Sequence, residues 1–440
     1  MSRTLILNRR RFLAGSGLAG AATLTGIAPN TASADEMPRT VPIATGSAER
    51  IAANEDHWRQ IADFYAVDPG ITNLENGYWG VMPRQLLAEY QMHTEQVNKA
   101  NATYARKQFY VDYRRYRQRA ADELGVSSDE IMLTRGATEA LQNLIANYNL
   151  LKPGDAVMYA DLDYGGMQET MDWLVERRGV TVVRFNIPEP ATRDAVLSTY
   201  ERMLKNNPKV RLLLLTHVSN RTGLVMPVPE IAAMARARNV DVILDAAHSF
   251  GHLDFKADDL GVDFMGVNFH KWMGAPLGSG LMYIRKERLQ DIDPCYGNRS
   301  FPADNILSRA SSGTSNFAAF MVIPSALDFH QALGPANKEA RLRYLRNRWV
   351  AAARELKNVD VLTPDDPLMT GALTSFRIKG KTGRDENRAI VDTLLNEHRI
   401  FTVWRDGVAA GDCVRVTPGV YTSAADIDRF ISALQVIANT

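Results

Sequence analysis

A lysine and an aspartate on nearby stretches of this 440-residue chain have the residue types that one particular chemistry needs. Lys271 lies in the run Asn268-Phe-His-Lys-Trp272, and Asp245 ends an apolar run upstream. A lysine amine can form a Schiff base with an aldehyde, and a carboxylate can keep a ring nitrogen protonated. Pyridoxal 5'-phosphate (PLP) chemistry uses both groups, so the pair predicts a PLP site with Lys271 and Asp245 as its catalytic residues.

A glycine turn farther upstream predicts a place for the phosphate group of such a cofactor. Gly136, Ala137 and Thr138 follow an apolar run and open a segment with helical spacing. Free N–H groups at the start of a helix, together with the helix dipole, favour a bound anion. The same residues also fit an ordinary helix N-terminus. The turn therefore indicates a phosphate site only in combination with the other candidates.

Three more residues with suitable side chains follow other apolar runs. Tyr164 has a ring that can stack on an aromatic cofactor, Asn220 can donate a hydrogen bond to a phenolate oxygen, and His270 directly precedes the lysine. Tyr164 and Asn220 also have ordinary explanations, because tyrosines pack at loop edges and asparagines are common in turns. Asp245 likewise fits the N-cap of a helix. Their occurrence at successive strand ends, rather than any single residue, indicates one site.

The elements that must position these residues are alternating strands and helices. From about residue 128, short apolar runs alternate with segments of helical spacing, which is typical of an α/β fold with a mainly parallel sheet covered on both faces. Ligands of such sheets bind at the carboxyl ends of the strands, where the candidates fall. The predicted strands span residues 130–133, 156–160, 181–185, 211–216, 240–244, 264–267 and 280–284, and predicted helices between them span residues 138–148, 167–176 and 229–238.

The pattern of the chain changes after about residue 317. A long arginine-rich helical stretch at residues 336–356 leads into short strands, and a last helix follows at residues 424–437. This order predicts a second, smaller α+β domain. We therefore predict a large cofactor-binding domain at residues 71–317 and a small C-terminal domain at residues 318–440.

The N-terminus has the features of an export signal. Arg9-Arg10-Arg11 precedes a small, apolar stretch rich in glycine and alanine, and Ala32-Ser33-Ala34 offers a cleavage site. These features predict a twin-arginine signal at residues 1–34, with the twin-arginine export machinery as a partner and a periplasmic or extracellular location. A disordered basic tail is the alternative. Residues 35–70 then form a linker and N-terminal segment.

Composition excludes several classes of protein. The formal net charge of +1 gives no reason to expect nucleic acid or an anionic membrane as a partner. The apolar part of the signal is too short and too rich in glycine for a stable membrane span. Two cysteines, Cys295 and Cys413, cannot by themselves build a disulfide framework or a thiolate metal site.

Four motifs together resemble a known family. They are Asp245-Ala-Ala-His248, Asn268-Phe-His-Lys271, Gly313-Thr314-Ser315-Asn316 and Val414-Arg415-Val416-Thr417. With these motifs the chain resembles the class V, fold-type I, PLP-dependent aminotransferases, particularly the isopenicillin N epimerase-like branch. The resemblance runs from Asn73 to Ser423. It implies a large domain with a mainly parallel seven-stranded sheet and a small C-terminal α+β domain.

The resemblance also implies roles for the cofactor-binding residues. Lys271 would form the Schiff base with PLP, and Asp245 would pair with its pyridinium nitrogen. His248 and Asn220 would contact the phenolic oxygen. The residues implied for the phosphate group are Ala137, Thr138 and His270.

Contacts with a partner subunit and with the substrate follow from the same resemblance. Thr314 would be donated to the site by the other subunit of a homodimer. Arg415 would bind the substrate carboxylate, for which a planar guanidinium is well suited, and Asn76 would also contact the substrate. Ser311 and Ser312 stand where many relatives have an acidic residue, so the chain departs from the family pattern just before Thr314.

The cysteines depart from one branch of this family. Cysteine desulfurases carry a nucleophilic cysteine on a loop well before the arginine that corresponds to Arg415. Cys413 precedes Arg415 by only two positions, in a predicted strand, and Cys295 follows shortly after the lysine. Both are therefore expected to be structural, which disfavours desulfuration through a persulfide.

These observations predict a PLP-dependent enzyme that acts at the Cα of an amino acid or a derived substrate, as an aminotransferase or an epimerase. A PLP-dependent C–S lyase or desulfurase-like enzyme is the alternative within the same chemistry. A zinc enzyme is an alternative from another class, since Asp245, His248 and His252 have a spacing that can bind zinc. A binding protein that has kept the fold and lost catalysis is a third.

Overall fold

The computed structural model describes residues 40–439. The predicted export signal at residues 1–34 and the first part of the predicted linker, up to residue 39, lie outside the described residues. Among residues 40–439, no helix is both long and apolar enough to cross a lipid bilayer.

The strands and helices follow one another along the chain in the order expected for an α/β protein. The strands are β1 (Thr72–Asn73), β2 (Ile131–Thr134), β3 (Ala156–Ala160), β4 (Thr181–Phe185), β5 (Val210–Thr216), β6 (Asp241–Asp245), β7 (Phe264–Asn268), β8 (Gly280–Ile284), β9 (Val359–Val361), β10 (Thr374–Ile378), β11 (Ile400–Phe401), β12 (Val403–Arg405) and β13 (Cys413–Val416). The helices are α1 (Ala48–Ala52), α2 (Glu55–Ala62), α3 (Arg84–Ala100), α4 (Phe109–Leu124), α5 (Ala137–Asn147), α6 (Gly165–Arg178), α7 (Arg193–Asn206), α8 (Val228–Arg236), α9 (Ala257–Leu260), α10 (Phe317–Met321), α11 (Ile323–Leu333), α12 (Pro335–Arg354), α13 (Arg384–His398) and α14 (Ala424–Ile437).

The central sheet has seven strands in the order β2-β8-β7-β6-β5-β3-β4. Only β8 runs antiparallel to its neighbours, β2 and β7. Residues 212–216 of strand β5 are buried. The run of leucines in this strand suits a parallel sheet that is covered on both faces. The predicted α/β fold with a mainly parallel seven-stranded sheet is confirmed.

Strand and helix ends agree with the sequence pattern to within one or two residues at most positions. Strands β3, β4 and β8 have the predicted bounds. Strand β2 begins one residue later than predicted, because Ser127 and Glu130 form a capping box that holds Ser128–Glu130 in a 3-10 turn. Helix α7 lies where no helix was predicted.

A second, antiparallel sheet lies in the C-terminal part of the chain, in the order β12-β13-β10-β9. It shares a hydrophobic core with α12 and α14, in which Trp349 contacts Phe430 edge-on at 5.5 Å between ring centroids. Ser423 begins α14 with a capping box to Asp426. The predicted small sheet is therefore present. The domain boundary between residues 317 and 318 stays a prediction.

A short parallel strand pair joins the N-terminal part of the described chain to its C-terminal part. Strand β1 pairs with β11, so that Thr72 lies beside Ile400. Glu75 then bridges to Thr417. This pairing fixes the loop after β1 against the small sheet.

A close backbone approach joins the central sheet to the turn before α5. A Cβ atom on Gly280 would lie 2.5 Å from the Cα of Gly136, so that either the turn or β8 would have to move. We expect Gly280→Ala to lower the free energy of unfolding by about 1–3 kcal/mol, the usual effect of overpacking. Urea denaturation of the wild type and the variant measures this change in the free energy of unfolding. In the control Gly313→Ala, a Cβ meets no atom within 4 Å, and we expect a change below about 0.5 kcal/mol. Equal stability of the two variants would contradict the close approach.

Candidate active site

A cavity of about 990 Å³ opens at the carboxyl ends of the parallel strands. Predicted residues follow β2, β3, β5, β6 and β7, and they come together because parallel strands deliver their last residues to the same edge of the sheet. The predicted residues that line this cavity are Gly136, Ala137, Thr138, Tyr164, Asn220, Asp245, His248, His270, Lys271 and Arg415.

Lys271 is the amine at the centre of this cavity wall, three residues beyond the end of β7. Its Nζ lies 2.8 Å from Nε2 of His248. Burial lowers the pKa of the Lys271 amine to about 7, and the charge of Asp245 opposes that shift. A buried amine with this pKa is a usable nucleophile and base near neutral pH.

Asp245 ends β6 and is buried. Its Oδ1 accepts a hydrogen bond from the backbone N–H of Ala247 at 2.9 Å. Burial raises the pKa of the Asp245 carboxyl, while that hydrogen bond and the charge of Lys271 act in the opposite direction. Within residues 40–439, no lysine, arginine or histidine forms an ion pair with Asp245. A protonated ring nitrogen would supply the missing cation.

Other buried polar atoms of the wall also have no hydrogen-bond partner among residues 40–439. They are Nδ1 of His248, Oδ1 of Asn220 and Oγ1 of Thr216. Burial, and then the charge of Lys271, hold the pKa of His248 well below its usual range, so that its ring is neutral beside the Lys271 amine. Buried polar groups without partners are rare in proteins. Their convergence here fits a ring-shaped ligand with several polar substituents.

The turn before α5 has the properties of a phosphate cradle. Gly136 is the N-cap of α5 and has no side chain of its own to cap the helix. The N–H of Ala137 donates to Oδ1 of Asn268 at 2.7 Å, and a Cβ on Gly136 would lie 3.1 Å from the same oxygen. Nδ1 of His270 lies 3.0 Å from the carbonyl of Ser279, which orients its ring. The residues present therefore fit the predicted phosphate group.

Three predicted residues lie at the edge of the cavity or outside its wall. Tyr164 is the N-cap of α6 and remains 41% exposed at the cavity edge. Thr314 lines a neighbouring groove rather than the cavity, and its contact with the cofactor of a partner subunit stays a prediction. Asn76 also lies outside the cavity wall. Its amide donates to the carbonyl of Thr417 at 2.9 Å and accepts from the hydroxyl of Tyr421 at 2.7 Å, so the geometry of one chain gives no support to its predicted substrate contact.

The zinc alternative finds no support in the geometry. Nδ1 of His252 lies 2.9 Å from the carbonyl of His248, and its Nε2 accepts from the N–H of Ala372 at 2.6 Å. The ring also stacks on Trp272 at 4.1 Å between centroids. Both nitrogens are thus engaged. In the part of the chain that the structure describes, no three His, Cys, Asp or Glu residues form a group that could hold a metal ion.

The cysteines differ in position. Cys413 lies in β13, as predicted, is fully buried, and burial raises the pKa of its thiol to about 11. Cys295 lines the cavity, and the expectation that it is structural stays a prediction. It is 4% exposed, and burial raises the pKa of its thiol. Neither thiol is therefore prepared to act as a thiolate nucleophile.

Two charged residues of the site were missed by the sequence analysis. Arg405 ends β12 and lines the cavity, and Glu75 forms a buried ion pair with Arg415 at 2.5 Å. Glu75 directly precedes Asn76, for which the resemblance implies a substrate contact. Arg405 stands ten positions before Arg415 without a motif of its own, so only the pairing of strands β12 and β13 could reveal it.

We expect the lowered pKa of Lys271 to be visible in its reactivity. Because only the neutral amine reacts with acetic anhydride, labelling of Lys271 in cofactor-free protein should rise with a midpoint near pH 7. Competitive labelling followed by peptide mass spectrometry measures this midpoint. Folding must be confirmed across the pH range by circular dichroism. A midpoint above about pH 9, closer to the usual lysine value, would contradict the buried environment.

Comparison with known proteins gives consistent results. The family model described as Aminotransferase class-V matches residues 82–430. The chain is 24% identical over 396 residues to isopenicillin N epimerase from Streptomyces clavuligerus, covering 86% of this chain and 98% of that protein. It is 26% identical to a probable cysteine desulfurase from Vibrio cholerae, covering 72% and 80%.

Solved structures of similar fold include enzymes with a bound cofactor. The apo cysteine desulfurase from Thermococcus onnurineus NA1 superimposes with a TM-score of 0.72 at 19% identity, covering 84% of this chain and 95% of that chain. A mutant of C-DES with glycine covalently linked to its PLP cofactor gives a TM-score of 0.71 at 24% identity, covering 83% and 96%. Another structure describes C-DES as a cystine C–S lyase.

Proposed function

Because this chain belongs to the class-V aminotransferase family, we propose that it is a PLP-dependent enzyme acting at the Cα of an amino acid or an amino-acid-derived substrate. The observation that carries the proposal is the buried Lys271 amine, which lies in one cavity wall with Asp245 and the Gly136 turn. The bound PLP of a similar enzyme supports the choice of cofactor.

When bound, PLP supplies an aldehyde that captures an amino group and a ring that withdraws electrons from the Cα. The Gly136 turn and the N–H groups of α5 hold its phosphate. Asp245 keeps a proton on the ring nitrogen, since burial makes an unpaired carboxylate at this position unfavourable. Tyr164, at the cavity edge, would pack against the ring.

Lys271 acts on the substrate once its amine is free. Because its pKa is about 7, the amine is largely neutral at slightly alkaline pH and can take the proton from the Cα. Nε2 of His248, in a neutral ring, lies 2.8 Å from the Nζ and helps to position it. If the proton returned to the opposite face of the Cα, the outcome would be epimerisation, and if Lys271 delivered it away from the Cα, the chemistry that PLP supplies would allow transamination.

We favour this chemistry at the Cα–H bond over persulfide-forming desulfuration. The relatives include epimerases and desulfurases, so similarity alone does not choose between them. Desulfuration through a persulfide needs a nucleophilic thiolate. Burial raises the pKa of both Cys295 and Cys413.

The reaction can be tested with the PLP-loaded protein in deuterium oxide. Amino acids are screened for loss of the Cα proton signal by NMR, and the products are analysed on a chiral column and for keto acids. Exchange together with racemised product supports an epimerase, and keto acid formation supports an aminotransferase. If no amino acid or amino-acid-derived compound undergoes exchange or turnover while PLP is bound, the proposal is wrong and the chain is a binding protein.

A C–S lyase is the second candidate, supported by the similarity to C-DES. Such an enzyme removes a β-substituent after the same Cα deprotonation and needs no protein thiolate. Release of pyruvate from cystine, without loss of activity in Cys295→Ser, would favour it over the epimerase and aminotransferase. Loss of activity in Cys295→Ser with retained PLP binding would instead indicate persulfide chemistry.

We also propose that the protein is exported by the twin-arginine pathway and acts as a homodimer. The run Arg9-Arg10-Arg11 supports export, and the position of Thr314 in a groove beside the cavity supports the dimer. Cell fractionation of the wild type and of the Arg9→Lys, Arg10→Lys, Arg11→Lys variant tests export. Light scattering tests the dimer, and a monomer would contradict the role of Thr314.

A further inference from the structure

A second, small cavity adjoins the segment that carries Lys271. It has a volume of about 30 Å³, and Lys271, Trp272 and Lys338 are among the residues that line it. Because about 10–15 Å³ is enough for one water molecule, the cavity has room for a water or for an ion of similar size. No aspartate or glutamate among residues 40–439 lines it. Two lysines without a carboxylate in the same wall favour a ligand with negative charge.

Lys338 is a buried amine in helix α12 that has no ion-pair partner. The residue is only 4% exposed. Its Nζ donates to the carbonyl of Trp272 and lies 3.4 Å from Nδ1 of His330. An ammonium group has three N–H donors, so one of them has no acceptor among residues 40–439. Burial lowers the pKa of Lys338 to about 7, because a buried charge without compensation is unfavourable.

The neighbours of Lys338 do not supply that compensation. The charge of Glu123 opposes the lowered pKa of Lys338, but this carboxylate already has two cations. Its Oε2 lies 2.9 Å from Nη1 of Arg119, and its Oε1 lies 3.9 Å from Nζ of Lys256. Burial, and then the charge of Lys338, hold the pKa of His330 well below its usual range, so its ring is neutral. Within the described part of the chain, Lys338 therefore lacks a counter-ion of its own.

Two further donors without acceptors belong to residues of this cavity wall. Trp272 is 7% exposed, and its Nε1 has no hydrogen-bond partner. An indole N–H can only donate. The hydroxyl of Tyr65, which also lines the cavity, forms no hydrogen bond with residues 40–439. Burial raises the pKa of this hydroxyl, so it keeps its proton. Unpaired buried polar groups are rare, and donors in excess of acceptors are what an anion requires.

We propose that this cavity is a binding site for one small monovalent anion, such as chloride, held by the Lys338 ammonium and by the N–H of Trp272 and the hydroxyl of Tyr65. A metal cation would meet two lysines and no carboxylate. Water is the competing occupant, but it has no charge to offset that of Lys338. Because Lys338 also binds the carbonyl of Trp272, the anion would lie next to the segment that positions Lys271. The inference does not rest on the proposed function.

Bromide is a suitable probe for the wild-type protein, because it replaces chloride and scatters X-rays anomalously. Crystals of the PLP-loaded protein are grown without halide and soaked in sodium bromide, and data are collected at the bromine absorption edge. We expect an anomalous peak in the cavity, in contact with Nζ of Lys338. Peaks on the protein surface show that the soak succeeded. Surface peaks together with only water in the cavity would overturn the proposal.

Binding in solution is measured through the melting temperature. PLP-loaded protein without halide is titrated with sodium chloride, and sodium gluconate keeps the ionic strength constant. We expect a saturable rise in melting temperature, from which an apparent Kd follows. Lys338→Met removes the charge from a side chain of similar length, and it should weaken chloride binding about tenfold or more.

Two other variants complete the series. Trp272→Phe keeps an aromatic ring beside His252 but loses the N–H, so it should weaken chloride binding about threefold to tenfold. Lys379→Met is the matched control, because Lys379 lies 3.7 Å from Asp360 and does not line the cavity. Its apparent Kd for chloride should equal that of the wild type.

Two results in solution would also overturn the proposal. The first is an equal response to chloride in the wild type and in Lys338→Met, which would mean that the anion acts elsewhere. The second is bromide density in the cavity without a saturable response of the wild type to chloride, which would mean binding at crystal concentration only. If Lys338→Met does not fold, Trp272→Phe and the crystals of the wild type decide the matter.

Discussion

Replacing Lys271 with alanine is expected to reduce turnover of any substrate at least about 1000-fold, because it removes both the covalent attachment of PLP and the base at the Cα. Borohydride reduction of the wild type should fix a pyridoxyl group on Lys271, which peptide mass spectrometry locates. The variant should show no label at this position. The cavity should still bind PLP without a covalent bond, because the Gly136 turn and Asp245 remain.

Two controls accompany this prediction. Lys271→Arg keeps a positive charge but cannot form a Schiff base, so it should be as inactive as the alanine variant. Lys379→Ala removes an exposed lysine that lies 3.7 Å from Asp360 on the small sheet, and its activity should equal that of the wild type. Substantial activity in Lys271→Ala, or a pyridoxyl label on another lysine of the wild type, would refute the assignment.

Replacing Asp245 with asparagine is expected to have opposite effects on stability and catalysis. The pKa of Asp245 is raised above its unfolded value, so the folded cofactor-free protein loses stability as pH rises from the unfolded pKa through the folded one. Asparagine carries no charge, and cofactor-free Asp245→Asn should melt at the same or a higher temperature than the wild type at neutral pH. Turnover should fall about 100-fold to 10,000-fold, since the ring nitrogen loses its proton.

The decisive measurement is the gain in melting temperature when PLP is added. This gain should be smaller in Asp245→Asn than in the wild type, because the bound ring no longer meets a carboxylate. Asp163→Asn is the matched control. Asp163 is also buried, with a pKa raised to about 7 by burial, but it accepts from the N–H groups of Ala160 and Thr216 outside the cavity wall. Asp163→Asn should change the melting temperature by the same amount with and without PLP. An unchanged gain in Asp245→Asn would contradict its pairing with the ring.

Much of the central sheet could be predicted because its strands are short apolar runs with polar ends. Strand β3 is fully buried, and such a run has few alternatives in an α/β sequence. The position of Asp245 and Lys271 at one edge then follows from the parallel arrangement. Helix α7 was missed although Val196, Tyr200 and Leu204 are buried at a spacing of four residues, a pattern that does indicate one face of a helix.

The carboxylate end of the site could not be predicted in the same way. Glu75 and Arg415 are 340 positions apart, and their contact depends on the pairing of β1 with β11 and on the register of the small sheet. Arg405 has no local pattern that distinguishes it from a surface arginine. Cys295 reaches the cavity through a loop, for which neither apolar periodicity nor strand order gives a position. Local periodicity thus predicts helices and strands, whereas contacts between distant segments can be seen only in the folded structure.

The pairing of β1 with β11 has a consequence for biosynthesis. Because translation proceeds from the amino end, Glu75 is synthesised before Arg415. The ion pair between them cannot form until Arg415 has been added to the chain. Chains that terminate early, before β11, lack both the strand that anchors the loop after β1 and the arginine that neutralises it. We expect such fragments to remain unable to complete the cavity. PLP binding would therefore distinguish full-length chains from truncated ones.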